Sequence, residues 1–160
     1  MTKDCFEREV LSLADTMYGV ARTYLRSPED CKDAVQESIL KAWSHLPALR
    51  REEFFRTWII RILINECKGI LKRQKRTVSS AEFPETSSMP ETGNGLYETM
   101  VALDEKYRVP LVLYHCEGYS IQAISKILRL PKGTVTSRLA RGRELLKRNY
   151  LKREVCFDEG

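Results

Sequence analysis

The sequence predicts an all-α protein built as two small helical domains joined by an acidic flexible linker. Three observations carry that expectation. Apolar residues recur at helical spacing through most of residues 10–76, and helical signals return from Leu96 onward. Between them, residues 77–95 (TVSSAEFPETSSMPETGNG) are rich in Ser, Thr, Pro, Glu and Gly and have no periodicity. Charge is also segregated along the chain. Residues 50–76 hold nine Lys/Arg against three Asp/Glu, residues 129–153 hold nine against one, and residues 77–105 hold six acids and no Lys or Arg. The boundaries that follow are 1–76 for the first domain, 77–95 for the linker and 96–153 for the second domain. Both domains are near the small end for an independent core.

The first helix is expected to turn Val10, Leu13, Ala14, Met17, Val20, Ala21 and Tyr24 inward. Ser27-Pro28-Glu29-Asp30 then supplies a capping hydroxyl, a proline at the first helical position and carboxylates against the positive end of the helix dipole. The second helix is expected to bury Val35, Ile39, Ala42 and Trp43 and to close at Pro47. After a loop over 45–53, the third helix carries Phe55, Ile59, Ile62, Leu63 and Ile70 toward the core. Beyond the linker come Leu96, Met100 and Leu103, then a segment from Tyr107 to Cys116. Ser120 caps a helix with Ile121, Ile124, Ile127 and Leu128 along it and small Ala123 where two helices can cross. Arg129-Leu130-Pro131 interrupts that helix, because the residue before a proline is pushed out of helical geometry. The last helix starts near Pro131 with Val135, Leu139, Gly142 and Leu146 on its inner face.

Those last two helices have the spacing of a helix-turn-helix. The outer face of the second offers Ser137, Arg141 and Arg148, flanked by Thr134, Thr136 and Arg138. Short hydroxyls and guanidiniums near the start of an exposed helix suit base edges and phosphates. A solvated basic face on an amphipathic pair is the plainer reading of the same residues. On the third helix, Arg61, Asn65, Lys68, Lys72 and Arg76 form one polar, mostly cationic stripe with Trp58 at its margin. Such a track holds a phosphate backbone and stacks an unpaired base, although Trp58 taken alone suits the core equally well. Asp33, Gln36, Glu37, Leu40 and Lys41 make a different surface on the second helix, where carboxylates repel DNA and an apolar residue stands out. That face suits a protein partner.

Other functions are disfavoured. The five cysteines are odd in number and scattered without a C-x-x-C pair, and His45 and His115 lack neighbouring ligands, so neither a disulfide framework nor a metal is expected. No cofactor, small-molecule substrate or enzymatic activity is expected either. The sequence shows no Gly-rich phosphate loop, no acid pair in a plausible cleft and no nucleophile with a placed base. Without a signal peptide or a bilayer-length apolar run, a cytoplasmic location is expected.

Four segments stand in an order that resembles a known family: DAVQESILKAW (33–43), FRTWIIRILINECKGILKRQKR (55–76), LDEKYRVPLVLYHCEGYS (103–120) and PKGTVTSRLARGRELL (131–146). Together they resemble a bacterial RNA polymerase sigma factor of the extracytoplasmic-function group, over nearly the whole chain. The resemblance implies that the first domain is region 2 and the second is region 4, with the linker in place of a missing region 3. It implies that Asp33, Gln36, Glu37 and Leu40 contact the clamp helices of the polymerase largest subunit. The third helix and its preceding loop, through Arg50, Arg51, Trp58, Arg61, Asn65, Lys68 and Lys72, would open and hold the promoter −10 element. Lys132, Thr134, Thr136, Ser137, Arg138, Ala140 and Arg141 would read the −35 element, and the acidic linker would thread toward the RNA exit channel. The implied partners are the polymerase core, promoter DNA and an anti-sigma factor. Asp104 stands where the family usually has a proline, and Ala140 where it often has a larger side chain. Promoter specificity therefore has to be read from this chain itself. A stand-alone helix-turn-helix transcriptional regulator is the alternative, and it leaves the cationic stripe and the acidic face unused.

Overall fold

Three long helices, α1 (Lys3–Tyr24), α2 (Pro28–Ser44) and α3 (Phe55–Thr77), pack each against the other two in the N-terminal part of the chain. The computed structural model describes residues 1–77 and 95–158, and the chain divides into two units, Met1–Thr86 and Ser87–Gly160. Local chemistry sets where these helices begin. The Thr2 hydroxyl accepts from the Cys5 N–H at 3.2 Å, and the Ser27 hydroxyl accepts from the Asp30 N–H at 3.4 Å ahead of Pro28. Met17, Val20, Phe55, Ile59, Ile60 and Leu63 fill the core between the helices.

The arc that α2 buries differs from the expected one. Cys31, Ala34, Ser38 and Ala42 face the core, whereas Val35 and Ile39 are half-buried and Trp43 is 45% exposed. Small residues let α2 lie close to its neighbours. Ser38 is tolerated there because its hydroxyl donates to the Ala34 carbonyl at 2.6 Å, so no polar group is left unpaired. Trp43 meets the ring of Phe6 edge-on at a centroid distance of 5.0 Å. On α1, Ala14 is exposed rather than buried. On α3, Ile60 and Ile64 are buried while Ile62 and Ile70 are only half-buried. Two helices cover α3 from different sides, so its buried arc is wider than one stripe. Between α2 and α3 the expected loop contains two single 3₁₀ turns, Leu46–Ala48 and Glu52–Phe54.

The C-terminal unit comprises α4 (Leu96–Val101), α5 (Glu105–Leu111), α6 (Ile121–Leu128) and α7 (Lys132–Asp158). Helix α5 runs on into a π-helical turn, Val112–Cys116, which ends with the Glu117 N–H on the Val112 carbonyl and the Tyr119 N–H on the Leu113 carbonyl. Gly118, at φ +75, reverses the chain there in a conformation that a side chain would strain. Val109, Leu111, Leu113, Ile124, Ile127, Val135 and Leu139 form the core, and Leu146 is half-buried at its edge. Gly142 lets α7 approach α5. A Cβ at that position would sit 3.1 Å from Leu111 Cδ1 and 3.3 Å from Tyr107 Cβ. Near the other end of α7, Arg153 donates to the Gly95 carbonyl and the Thr99 hydroxyl, both at 3.3 Å, and ties the helix to α4. Of the expected linker, Thr77 closes α3 and Gly95 precedes α4; residues 78–94 lie outside the described residues. No helix of the described residues is long and apolar enough to cross a membrane.

Candidate nucleic-acid and protein interfaces

The helix-turn-helix is built from α6 and α7. The Ser120 hydroxyl accepts from the Ala123 N–H at 3.1 Å and starts α6, and Ile124 and Ile127 anchor it. Helix α6 ends at Leu128, where the Arg129-Leu130-Pro131 stretch is expected to interrupt it. Arg129 adopts the left-handed conformation at φ 55, and the N–H groups of Arg129 and Leu130 both reach the Ser125 carbonyl. The Ser125 hydroxyl donates to the Leu130 carbonyl, so the turn satisfies its own backbone. A left-handed non-glycine residue costs roughly 1–2 kcal/mol, which these bonds offset.

On α7, with Val135 and Leu139 fully buried, Lys132, Thr136, Ser137, Ala140 and Arg141 are exposed and Thr134 and Arg138 are half-buried. The expected −35 set therefore surrounds one outer face. The Thr136 hydroxyl donates to the Lys132 carbonyl at 3.0 Å, which leaves its oxygen as an acceptor. Sequence reasoning missed Glu144, whose carboxylate pairs with both Arg141 and Arg148 at 3.2 Å. Its i+3 and i+4 spacing to the two arginines is the signal that reveals it.

In the N-terminal unit, Asn65, Lys68 and Lys72 are exposed along one side of α3, and Arg61 on the same stripe is half-buried. Trp58 is also half-buried, its ring tilted 49° against Phe55 at a centroid distance of 6.1 Å. Phe55 meets Phe6 edge-on at 5.5 Å, so Trp58 rests on an aromatic cluster and still borders the stripe. Arg50 and Arg51 are exposed ahead of α3. Arg51 pairs with Glu53 at 2.8 Å and lies 5.4 Å above the ring of Phe54, an exposed aromatic that the sequence reading passed over.

On α2, Asp33, Gln36 and Glu37 are exposed and Leu40 is 61% exposed. Asp33 and Glu37 also border an open groove toward α3, which Asp30, Lys41, Glu66, Ile70 and Arg73 complete. Lys41 pairs with Glu66 across it, and Gln74 donates to Asp30 at 2.8 Å. Lys41 is thereby turned toward α3, and the face around Glu37 and Leu40 is left acidic and apolar. The buried thiols of Cys31 and Cys67 are pushed up to about 11 and about 12 by desolvation and stay protonated near neutral pH.

Comparisons with known proteins follow the same division. A family model of sigma-70 region 2 matches residues 10–77, and one of sigma-70 region 4 matches residues 94–146. The chain is 29% identical over 164 residues to the RNA polymerase sigma-H factor of Pseudomonas aeruginosa, across 90% of this chain and 85% of that one. It is 31% identical over 137 residues to the ECF RNA polymerase sigma-E factor of Salmonella typhimurium, across 73% and 72% of the two chains. The sigma factor RpoE, solved in complex with the anti-sigma factor NepR from Bartonella quintana, shares the fold with a TM-score of 0.82. That match covers 94% of this chain and 98% of the other at 24% sequence identity.

Proposed function

The chain belongs to the extracytoplasmic-function group of the sigma-70 family, and from that premise we propose how its residues divide the work of promoter recognition. As a sigma factor it directs RNA polymerase to specific promoters for transcription initiation, with region 2 serving the −10 element and region 4 the −35 element. It is an initiation factor rather than an enzyme. In our reading, residues 1–76 are region 2, residues 77–95 the linker and residues 96–153 region 4. Asp33, Gln36, Glu37 and Leu40 dock on the polymerase core. A buried contact there joins a carboxylate to a basic group and Leu40 to an apolar one. Arg50, Arg51, Trp58, Arg61, Asn65, Lys68 and Lys72 hold the melted −10 strand through charge and stacking. Lys132, Thr134, Thr136, Ser137, Arg138, Ala140 and Arg141 line the groove face at −35. The polymerase and the chromosome then place the protein in the cytoplasm. An anti-sigma factor completes the set of partners, by extension from RpoE with NepR and from CnrH with the cytosolic domain of CnrY.

The observation that carries this reading is the match of two family models, in order, to two units that each expose a cationic helix face. A stand-alone regulator would account for the second match and leave residues 10–77 without a role. The test is transcription reconstituted from core polymerase and this chain on a library of genomic fragments. Transcripts should start at a fixed distance downstream of a shared −35 and −10 pair, and only when the chain is present. An active core that gives the same transcripts with and without the chain overturns the reading.

A further inference from the structure

We propose that Glu144 is a specificity-determining residue of the −35 interface, one that makes the wrong DNA costly rather than the right DNA attractive. The inference rests on the reading that the outer face of α7 meets duplex DNA. Ser137, Arg141, Glu144 and Arg148 follow i, i+4, i+7, i+11 spacing and form one line along that face. Glu144 is the one acid among residues 129–153, against nine Lys/Arg, and it stands between the two arginines of the line. Its carboxylate is 3.2 Å from each guanidinium, with Arg141, Glu144 and Arg148 side chains 47%, 57% and 52% exposed.

Pairs this exposed contribute little to stability, so the fold gives no strong reason for the carboxylate. Its effect on DNA is larger. Arg141 and Arg148 are about 10 Å apart along the helix axis and, left alone, would each seize any nearby phosphate. Glu144 changes that balance in two ways. It gives both guanidiniums a partner already, so a lone phosphate exchanges one ion pair for another at little gain. It also sets a negative charge among the phosphates of any duplex laid on the face. A guanine edge offers Arg141 a bidentate contact that outweighs the exchange, whereas a wrong base does not. Discrimination then arises from a built-in penalty against the competitor.

The test uses holoenzyme assembled from core polymerase and the full chain. Two probes are needed: a promoter fragment selected by the wild-type holoenzyme, and the same fragment with its −35 hexamer scrambled. Glu144→Gln should tighten binding to the scrambled fragment by about fivefold, change binding to the selected one by less than about twofold, and steepen the salt slope on the scrambled fragment by about one unit. Glu144→Asp keeps the charge and should keep most of the discrimination. Glu105→Gln, which removes an exposed carboxylate from α5, should leave both affinities unchanged. The proposal is overturned if Glu144→Gln matches Glu105→Gln, or if it shifts both probes equally. Arg141→Ala separates the two levels: an unchanged preference between the probes overturns the placement of α7 on the −35 element, and the role of Glu144 with it. A lost preference in Arg141→Ala beside an intact one in Glu144→Gln overturns the role of Glu144 alone.

Discussion

Cys31 on α2 and Cys67 on α3 are both fully buried, and desolvation raises their thiols from an ordinary 9.0 to about 11 and about 12. A second effect reinforces Cys67, because a thiolate there would face charge at Cys31 and at Glu66. The folded chain keeps these protons at pH values where the unfolded chain loses them. The stability they contribute is therefore full below pH 9.0 and is lost as pH rises toward the folded values. Both tryptophans, Trp43 and Trp58, lie in the N-terminal unit, so their fluorescence follows that unit alone. We expect its urea midpoint to fall between pH 9 and 10.5, and to fall less steeply in Cys31→Ala/Cys67→Ala. Identical slopes in the two proteins would remove the thiols from the alkaline limb. By contrast, Cys116 is exposed, and it should react with a thiol reagent in the native state while Cys31 and Cys67 react only on unfolding.

Among the elements, α7 depends most on a single small residue. Gly142 faces Leu111 and Tyr107 of α5 at distances that already crowd a Cβ, and Leu111 is itself buried and has little room to yield. Gly142→Val should destabilise the C-terminal unit by about 1–3 kcal/mol through overpacking, despite the better intrinsic helix propensity of valine over glycine. Thermal unfolding followed by circular dichroism measures this, and an unchanged or raised transition would mean that α5 retreats at no cost. Pro110 lies inside α5 and lacks an N–H, so the helical ladder loses its bond to the Lys106 carbonyl one turn before the chain widens into Val112–Cys116 and turns toward Ser120. That turn sets the start of α6, and the packing of α6 on α7 sets which face of α7 is exposed.

For the whole molecule, the chain divides into two units, and on the proposed division of labour substitutions in one should spare the task of the other. Glu37→Arg and Leu40→Arg place a cation on an exposed acidic and apolar face, so the chain should still fold. Each should weaken binding to core polymerase on the order of tenfold or more, since a new charge is buried unpaired in the contact. Affinity measured by fluorescence anisotropy against labelled chain decides it: two folded variants that bind core like wild type would move the docking face elsewhere. Trp58→Ala combined with Arg61→Ala should leave the −35 interaction intact and lower the permanganate reactivity of −10 thymines. A pre-melted template should restore it. Undiminished reactivity in the folded double variant would return the indole to the aromatic cluster of Phe55 and Phe6 and shift melting to the loop over 46–53.

Helix type and order along the chain were legible because they are local properties. Ser27 ahead of Pro28, Ser120 ahead of an Ile-rich stretch, and the period of Val10 to Tyr24 each act within a few residues, and so did the segregation of the two basic blocks. The helix-turn-helix and the cationic stripe were legible for the same reason, since spacing alone puts their residues on one face. What the tertiary structure decided was which arc of each helix is covered. Periodicity makes Val35 and Trp43 as good a core face for α2 as Cys31, Ala34 and Ser38, and only the close approach of α1 and α3 selects the small residues. The Lys41–Glu66 pair and the Arg153 contacts with Gly95 and Thr99 join residues far apart in sequence, and no local spacing encodes them. Arg129 ends α6 because the bonds to Ser125 outweigh its left-handed strain, a balance of small terms that a residue preference does not resolve.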